Sequence, residues 1–206
     1  MKTQLRSAEA MDILTKRLAN FQQYIGESAE VDDDGDASVL FETLPLIGMV
    51  VLLFNQLESS IDRAICEAIN DRTDSVGVLV INGMNFMPKV DLYRRLCKAL
   101  HADFAGPVPS FGGLIKRLEG AAKLRNLVVH ADWMSSDAKG YTYTQLHIKR
   151  GSMTEEYTQL TPEAMDKVTD AIRGASDQLE AYFEERTELL RDKRGDLPKQ
   201  TITSAE

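Results

Sequence analysis

Leu118-Glu-Gly-Ala-Ala-Lys123-Leu-Arg125-Asn126-Leu-Val-Val-His130-Ala-Asp-Trp133 is the stretch from which the chain is best read. Leu118, Ala121, Ala122, Leu124, Val128 and Val129 recur at helical spacing and continue Leu114 and Ile115, so a helix is predicted from about Ser110 to His130. Gly112, Gly113 and Gly120 weaken it by propensity, and close packing against another helix must compensate. Arg125 falls on the line of Leu118, Ala122 and Val129, the face expected to pack. Asn126 and His130 are one turn apart and point the same way. Arg125 and His130 diverge by about 140° around the axis but lie only about 7.5 Å apart along it, a gap a long Arg side chain can close. A guanidinium and an imidazole could then meet one phosphate.

Further helices are read on either side. One starts at the Ser7 cap and runs to about Tyr24, with Met11, Ile13, Leu14, Leu18 and Phe21 at helical spacing. A long one runs from about Glu42 or Pro45 to Asp71, carrying a wide apolar stripe through Val50, Phe54, Leu57, Ile61 and Ile65. Glu58 lies on that stripe and Asp62 borders it. A carboxylate there either pairs with a basic residue of a neighbouring helix or reaches water at the stripe's edge. Val76 to Ile81 reads as a short strand or a packed loop, and Phe86 to Leu100 as a helix. Ala102 to Pro109 is a breaker segment.

Tyr141 to Ile148 alternates, Lys149 to Ser152 turns and Glu155 to Leu160 returns, a hairpin within 141–160. Thr161-Pro162-Glu163 is a strong helix start, and that last helix is read to Leu190. Residues 191–206 read as a flexible polar tail. The whole is one mainly α domain over 1–190 with a small hairpin before the last helix.

Composition narrows the function classes. The chain has 206 residues and a net charge of -8, which opposes indiscriminate binding to polyanions. Cys66 and Cys97 are too few for a disulfide framework and read as reduced thiols of a cytoplasmic protein. The apolar run Leu44 to Phe54 is interrupted by Pro45 and soon turns polar, so no membrane association is expected. The acidic run Asp32 to Asp36 fails the calcium-loop register, because Phe41 falls where the bidentate Glu belongs. No histidine pair has helical metal-ligand spacing, and no Gly-rich loop leads into Lys-Ser or Lys-Thr. No metal or cofactor is expected.

At Arg125, Asn126 and His130 the sequence resembles the HEPN superfamily, helical domains marked by Arg-Asn-x-x-x-His. The resemblance covers Glu42 to His130 and includes the mid-helix Glu58, the helix opening Phe86-Met-Pro-Lys-Val-Asp-Leu and the final motif helix. It implies an up-down bundle of four to five helices that forms a homodimer, with the motif helices facing each other across a cleft. Many members are metal-independent endoribonucleases acting as toxins or antiviral effectors; others have lost catalysis and serve as scaffolds.

On that implication Arg125 and His130 are the catalytic pair. RNA supplies its own 2′-hydroxyl nucleophile, His moves the proton, and Arg holds the phosphate and stabilises its developing charge. Asn126 fixes the ring or binds phosphate, or else bonds to local backbone. Lys123 and Glu58 are placed on the substrate side, Lys123 as a phosphate contact or a solvated helix residue. RNA, a second copy and an antitoxin or other regulatory protein are the expected partners. Trp133 is expected to anchor the helix end by packing. His101, at a helix end where the dipole favours a protonated ring, and His147, on the hairpin, are secondary.

Charge distribution sharpens this reading. Phe86 to His130 carries eight basic residues against three acidic ones, +5, leaving -13 on the remainder. A basic cleft in an acidic protein would admit RNA locally while resisting loose adsorption.

Overall fold

The computed structural model describes residues 13–18, 35–69, 75–103, 108–137, 139–149 and 151–195. Five helices, α1 (Gly35–Ile69), α2 (Ser75–Ile81), α3 (Phe86–Asp103), α4 (Phe111–Val129) and α5 (Pro162–Gly195), surround one apolar core. A sheet of β1 (Thr15–Leu18), β2 (Tyr141–Lys149) and β3 (Ser152–Gln159) is built from strands that all precede α5 in sequence. The chain is mainly α, with a helical bundle and a small antiparallel sheet, as the periodicity predicts.

The core is the meeting of four stripes. Val50, Phe54, Leu57, Ile61 and Ile65 of α1 are buried against α3, α4 and α5. Leu114 and Leu118 of α4 and Met165, Val168 and Ile172 of α5 are fully enclosed. Each set repeats every three to four residues, which places it on one helix face.

Four sequence expectations need correction. The helix predicted from Glu42 or Pro45 starts at Gly35 and passes through Pro45. Proline removes the N–H that would bond the Phe41 carbonyl, while in the same turn the Thr43 hydroxyl donates to the Leu40 carbonyl at 3.1 Å. Gly35 and Asp36 of the acidic run therefore open a helix; 31–34 lie outside the described residues. Because α1 is continuous, Leu40–Ile69 is long and apolar enough by length and composition to cross a membrane, and 22% of its most apolar window is buried. Core helices of soluble bundles meet the same test.

Secondly, Thr15–Leu18 is a strand, not part of a helix from Ser7 to Tyr24. It pairs antiparallel with β3, from Thr15 opposite Thr158 to Leu18 opposite Glu155. The free edge of β3 offers backbone partners that outweigh a weak local helix preference. Arg17 adds an ion pair to Glu156 at 2.8 Å, and Lys16 stands 3.6 Å above the Tyr141 ring. The remainder of that predicted helix, apart from Ile13 and Leu14, lies outside the described residues.

Thirdly, Val76 to Ile81 belongs to α2, neither strand nor loop. Its contact with α1 decides the matter: a Cβ at Gly77 would stand 2.7 Å from Cys66 Sγ, so only glycine lets this turn of helix sit so close. Packing of the turn overrides the β-branched composition. Gly83, with φ +74°, then turns the chain toward α3.

Fourthly, α5 continues to Gly195, so 191–195 are helical where a flexible tail is expected; residues 196–206 lie outside the description. The hairpin follows the expected pairing, with Gly151 at φ +81° in its turn and a register shift between Tyr143 and Gln145.

At the far end of the bundle the dipole argument for His101 also fails. The ring is buried, 2.9 Å from the Tyr182 hydroxyl and edge-on to Phe111, 4.9 Å between centroids. Burial, reinforced by the positive charge of Arg186, holds its pKa below the ordinary histidine value. A depressed folded pKa means the unfolded chain binds more protons. Stability from this site is therefore complete above about pH 6.5 and lost as pH falls toward the folded value. Urea unfolding of wild type should show a loss between pH 7.5 and 5.5 that His101→Gln reduces; an identical loss in the variant would assign the acid sensitivity elsewhere.

Candidate functional site

The motif helix α4 ends at Val129, and His130 is its C-cap, its backbone N–H donating to the Asn126 carbonyl at 3.0 Å. The chain then turns through a short 3-10 segment, Trp133–Ser135. The Trp133 indole N–H donates to the Val128 carbonyl at 2.9 Å while the ring packs on the core. That bond satisfies a carbonyl otherwise orphaned at the helix end and fixes where His130 emerges. Asp132 N donates to the Tyr143 carbonyl at 2.9 Å, so the sheet braces the same corner.

Arg125 is half-buried. Its guanidinium carbon lies 5.4 Å from the centre of the Phe54 ring on α1, a cation–π contact, and Phe54 in turn packs on Phe86, 4.6 Å between centroids. Nη1 donates to Asn126 Oδ1 at 3.1 Å. Nε is buried without a hydrogen-bond partner, and no protein hydrogen bond to Nη2 occurs among the described residues. The guanidinium is thus held at two points, with one amino group left for an anion.

The structure brings together Arg125 and Asn126. The Asn126 side-chain oxygen accepts from Arg125; it neither holds the imidazole nor bonds to local backbone. The His130 side chain is exposed, and its ring makes no hydrogen bond or ion pair among the described residues. Lys123 is exposed on α4 and likewise unpaired among the described residues.

Glu58, placed on the substrate side by the resemblance, pairs with a basic residue of a neighbouring helix, the alternative its place on the stripe also allowed. Lys89 Nζ lies 2.8 Å from Glu58 Oε1 and 2.8 Å from the nearer oxygen of Asp62. The Lys89 side chain is only 9% exposed, against 30% and 31% for the two carboxylates. Burial acts to lower the ammonium pKa, but the hydrogen bonds it donates to Asp62 and Glu58, and their charges, outweigh it and hold Lys89 above its ordinary value. The carboxylate that periodicity singled out is therefore a structural partner joining α1 to α3.

Fewer cations stand near His130 than the residue count suggests. Lys89 is consumed by Glu58 and Asp62, and Arg94 by Asp91 and Glu119. Lys116 and Arg117 lie about 20 Å from His130 along the axis of α4. Arg125 and Lys123 are the cations of α4 that stand within two turns of His130. Sequence reasoning missed Phe54 as the platform under Arg125. The available signal was its position one turn before Glu58 on a stripe that must face the motif helix.

Elsewhere, Cys66 and Cys97 are buried and form no disulfide with each other, as expected of thiols packed in helices. His147 pairs with Glu156 at 3.1 Å on the sheet, away from the motif. Among the described residues no group of three His, Cys, Asp or Glu side chains is arranged to hold a metal ion. No family model, curated protein or solved structure matches the chain.

Proposed function

We propose that the chain is a metal-independent endoribonuclease of HEPN type, cytoplasmic, acting as a toxin or as an antiviral or stress effector. The observation that carries the reading is the end of α4. A guanidinium steadied by Phe54 and Asn126 keeps Nη2 for a phosphate, and an unpaired imidazole stands at the C-cap of the same helix. In the reaction His130 takes the proton of the ribose 2′-hydroxyl, whose oxygen attacks the adjacent phosphorus. The P–O5′ bond breaks, the 5′-oxygen gains a proton, and a 2′,3′-cyclic phosphate remains. Arg125 neutralises charge on the phosphoryl oxygens as it develops. Two copies meeting at their motif helices would supply one histidine as base and the other as acid. A regulatory protein, such as an antitoxin, would act by covering that cleft.

A second reading is favoured by one specific feature. The Nε of Arg125 is buried, which is how a structural arginine is packed. In that case the motif belongs to a catalytically silent dimeric module that binds a protein partner or a nucleotide.

Incubating total RNA with wild type, Arg125→Ala and His130→Ala, with cleavage ends mapped, separates the two. The ribonuclease reading expects cyclic-phosphate ends from wild type in the presence of chelator and none from either variant. Equal cleavage by wild type and variants, or no cleavage by any of them, would overturn it.

A further inference from the structure

A pocket of about 180 Å³ opens on the sheet, lined by Arg17 of β1, His147 of β2 and Ser152 and Thr154 of β3. Strand register explains the gathering. Ser152, Thr154 and Glu156 alternate along β3 and so share one face. Arg17 stands opposite Glu156 and His147 opposite Thr154, which brings side chains of both outer strands beside the middle one. Glu156 ties them together: its Oε2 accepts from Arg17 Nε at 2.8 Å and from His147 Nε2 at 3.1 Å. The carboxylate is 15% exposed, against 67% for Arg17 and 31% for His147. It is the buried anchor that fixes two donors at the rim of one pocket.

We propose that this pocket binds a phosphate group, as the free ion or as the end of a small phosphomonoester. The groups left over define the ligand. Arg17 keeps both terminal amino groups, His147 keeps Nδ1, and the half-buried Thr154 hydroxyl makes no hydrogen bond among the described residues. A guanidinium held through Nε presents Nη1 and Nη2 side by side, a spacing that suits two oxygens of an oxyanion. The imidazole, when protonated, donates from Nδ1 as well as to Glu156, and Ser152 adds a second hydroxyl to the wall. Glu156 offsets one positive charge, so Arg17 and a protonated His147 leave the cluster at a net charge of about +1, matched to a small oxyanion. Size limits the ligand too. A volume of about 180 Å³ lies below the roughly 300–1,000 Å³ of sites for drug-sized molecules, so the pocket takes the phosphate and leaves the body of a larger ester outside. The site shares no residue with the motif at the end of α4 and is independent of the ribonuclease reading.

Titrating the full-length chain with inorganic phosphate at constant pH and ionic strength, followed by amide proton–nitrogen NMR, tests the assignment. The amides of Arg17, His147, Ser152 and Thr154 should shift together and saturate with a Kd of about 1 mM or tighter. Arg17→Met should weaken binding by about tenfold or more, the usual cost of losing a charge-assisted hydrogen bond. That variant also breaks the ion pair joining β1 to β3, so a second one is needed. Thr154→Val keeps the side-chain volume and both contacts of Glu156 and removes only the hydroxyl; it should weaken binding by about threefold or more with an unchanged melting curve. A parallel titration with adenosine 5′-monophosphate separates the two sources of the same chemistry. Saturation of the same amides at lower concentration than with inorganic phosphate marks a phosphomonoester ligand, and the reverse order marks the free ion. No saturation of these amides by about 20 mM of either probe would overturn the proposal. Saturation that both variants leave unchanged would overturn it equally.

Discussion

Lys89→Met is expected to destabilise the fold by about 3 kcal/mol, the low end of the cost of breaking a buried ion pair from one side. Lys89 is the shared cation of Glu58 and Asp62, and its removal leaves two carboxylates one turn apart on α1 with neither counter-charge nor donor. Both carboxylates are about one-third exposed, 30% and 31%, so solvent screens part of the repulsion and the higher values for fully buried pairs do not apply. At this chain length the loss corresponds to a fall in Tm of about 6–12 °C. The triple variant Lys89→Met, Glu58→Gln, Asp62→Asn should regain most of it, because the penalty arises from the stranded carboxylates more than from the missing attraction. The sign of the pKa shift fixes the pH window. A raised folded pKa gives stability that is complete below about pH 10.4 and lost only as pH rises through the folded value. Denaturant titrations at pH 6 and pH 8 should therefore give the same difference between wild type and Lys89→Met. A loss under about 0.5 kcal/mol would show that the triad behaves as a surface pair.

Much of this was legible in the sequence, for a definite physical reason. Helices with one apolar stripe announce themselves by period, and Val50, Phe54, Leu57, Ile61 and Ile65 lie on the buried face that their spacing assigns. The hairpin was equally plain from its alternation and turn. What escaped depends on contacts between residues far apart in the chain. Thr15–Leu18 is a strand because β3 has an edge to offer, and Val76–Ile81 is helical because Gly77 can sit against Cys66. Within the site, the Arg-Asn-His spacing located the helix end but could not tell which group Asn126 would hold. Nor could it show that Glu58 would be taken by Lys89, since rotamers and partners follow from how α1, α3 and α4 cross. Residue counts overstated the basic surface for the same reason: two of the eight cations are spent inside the bundle.

Arg125→Lys isolates the chemistry proposed for the motif from its packing. Lysine keeps the charge and can still place an ammonium near the Phe54 ring, so the fold should lose less than about 1 kcal/mol, within the range of a single exposed cation–π contact. It cannot keep the planar fork. Arginine can hold Asn126 Oδ1 through Nη1 while Nη2 meets a phosphoryl oxygen, whereas a single ammonium on a flexible stem must choose between them. If that geometry stabilises the charge developing on the phosphate, the single-turnover cleavage rate should fall by about 10²–10³, the usual consequence of losing one preorganised donor. Asn126→Ala should fall between wild type and Arg125→Lys, since it frees Nη1 without removing a donor. His130→Ala should reach the background rate, because the proton carrier itself is gone. The pattern across the three variants carries more weight than any one value. A silent module would give melting temperatures ordered by packing and no rate to order. A ribonuclease that uses Arg125 only as a point charge would show Arg125→Lys cleaving at the wild-type rate, and that result would falsify the two-point hold on the guanidinium.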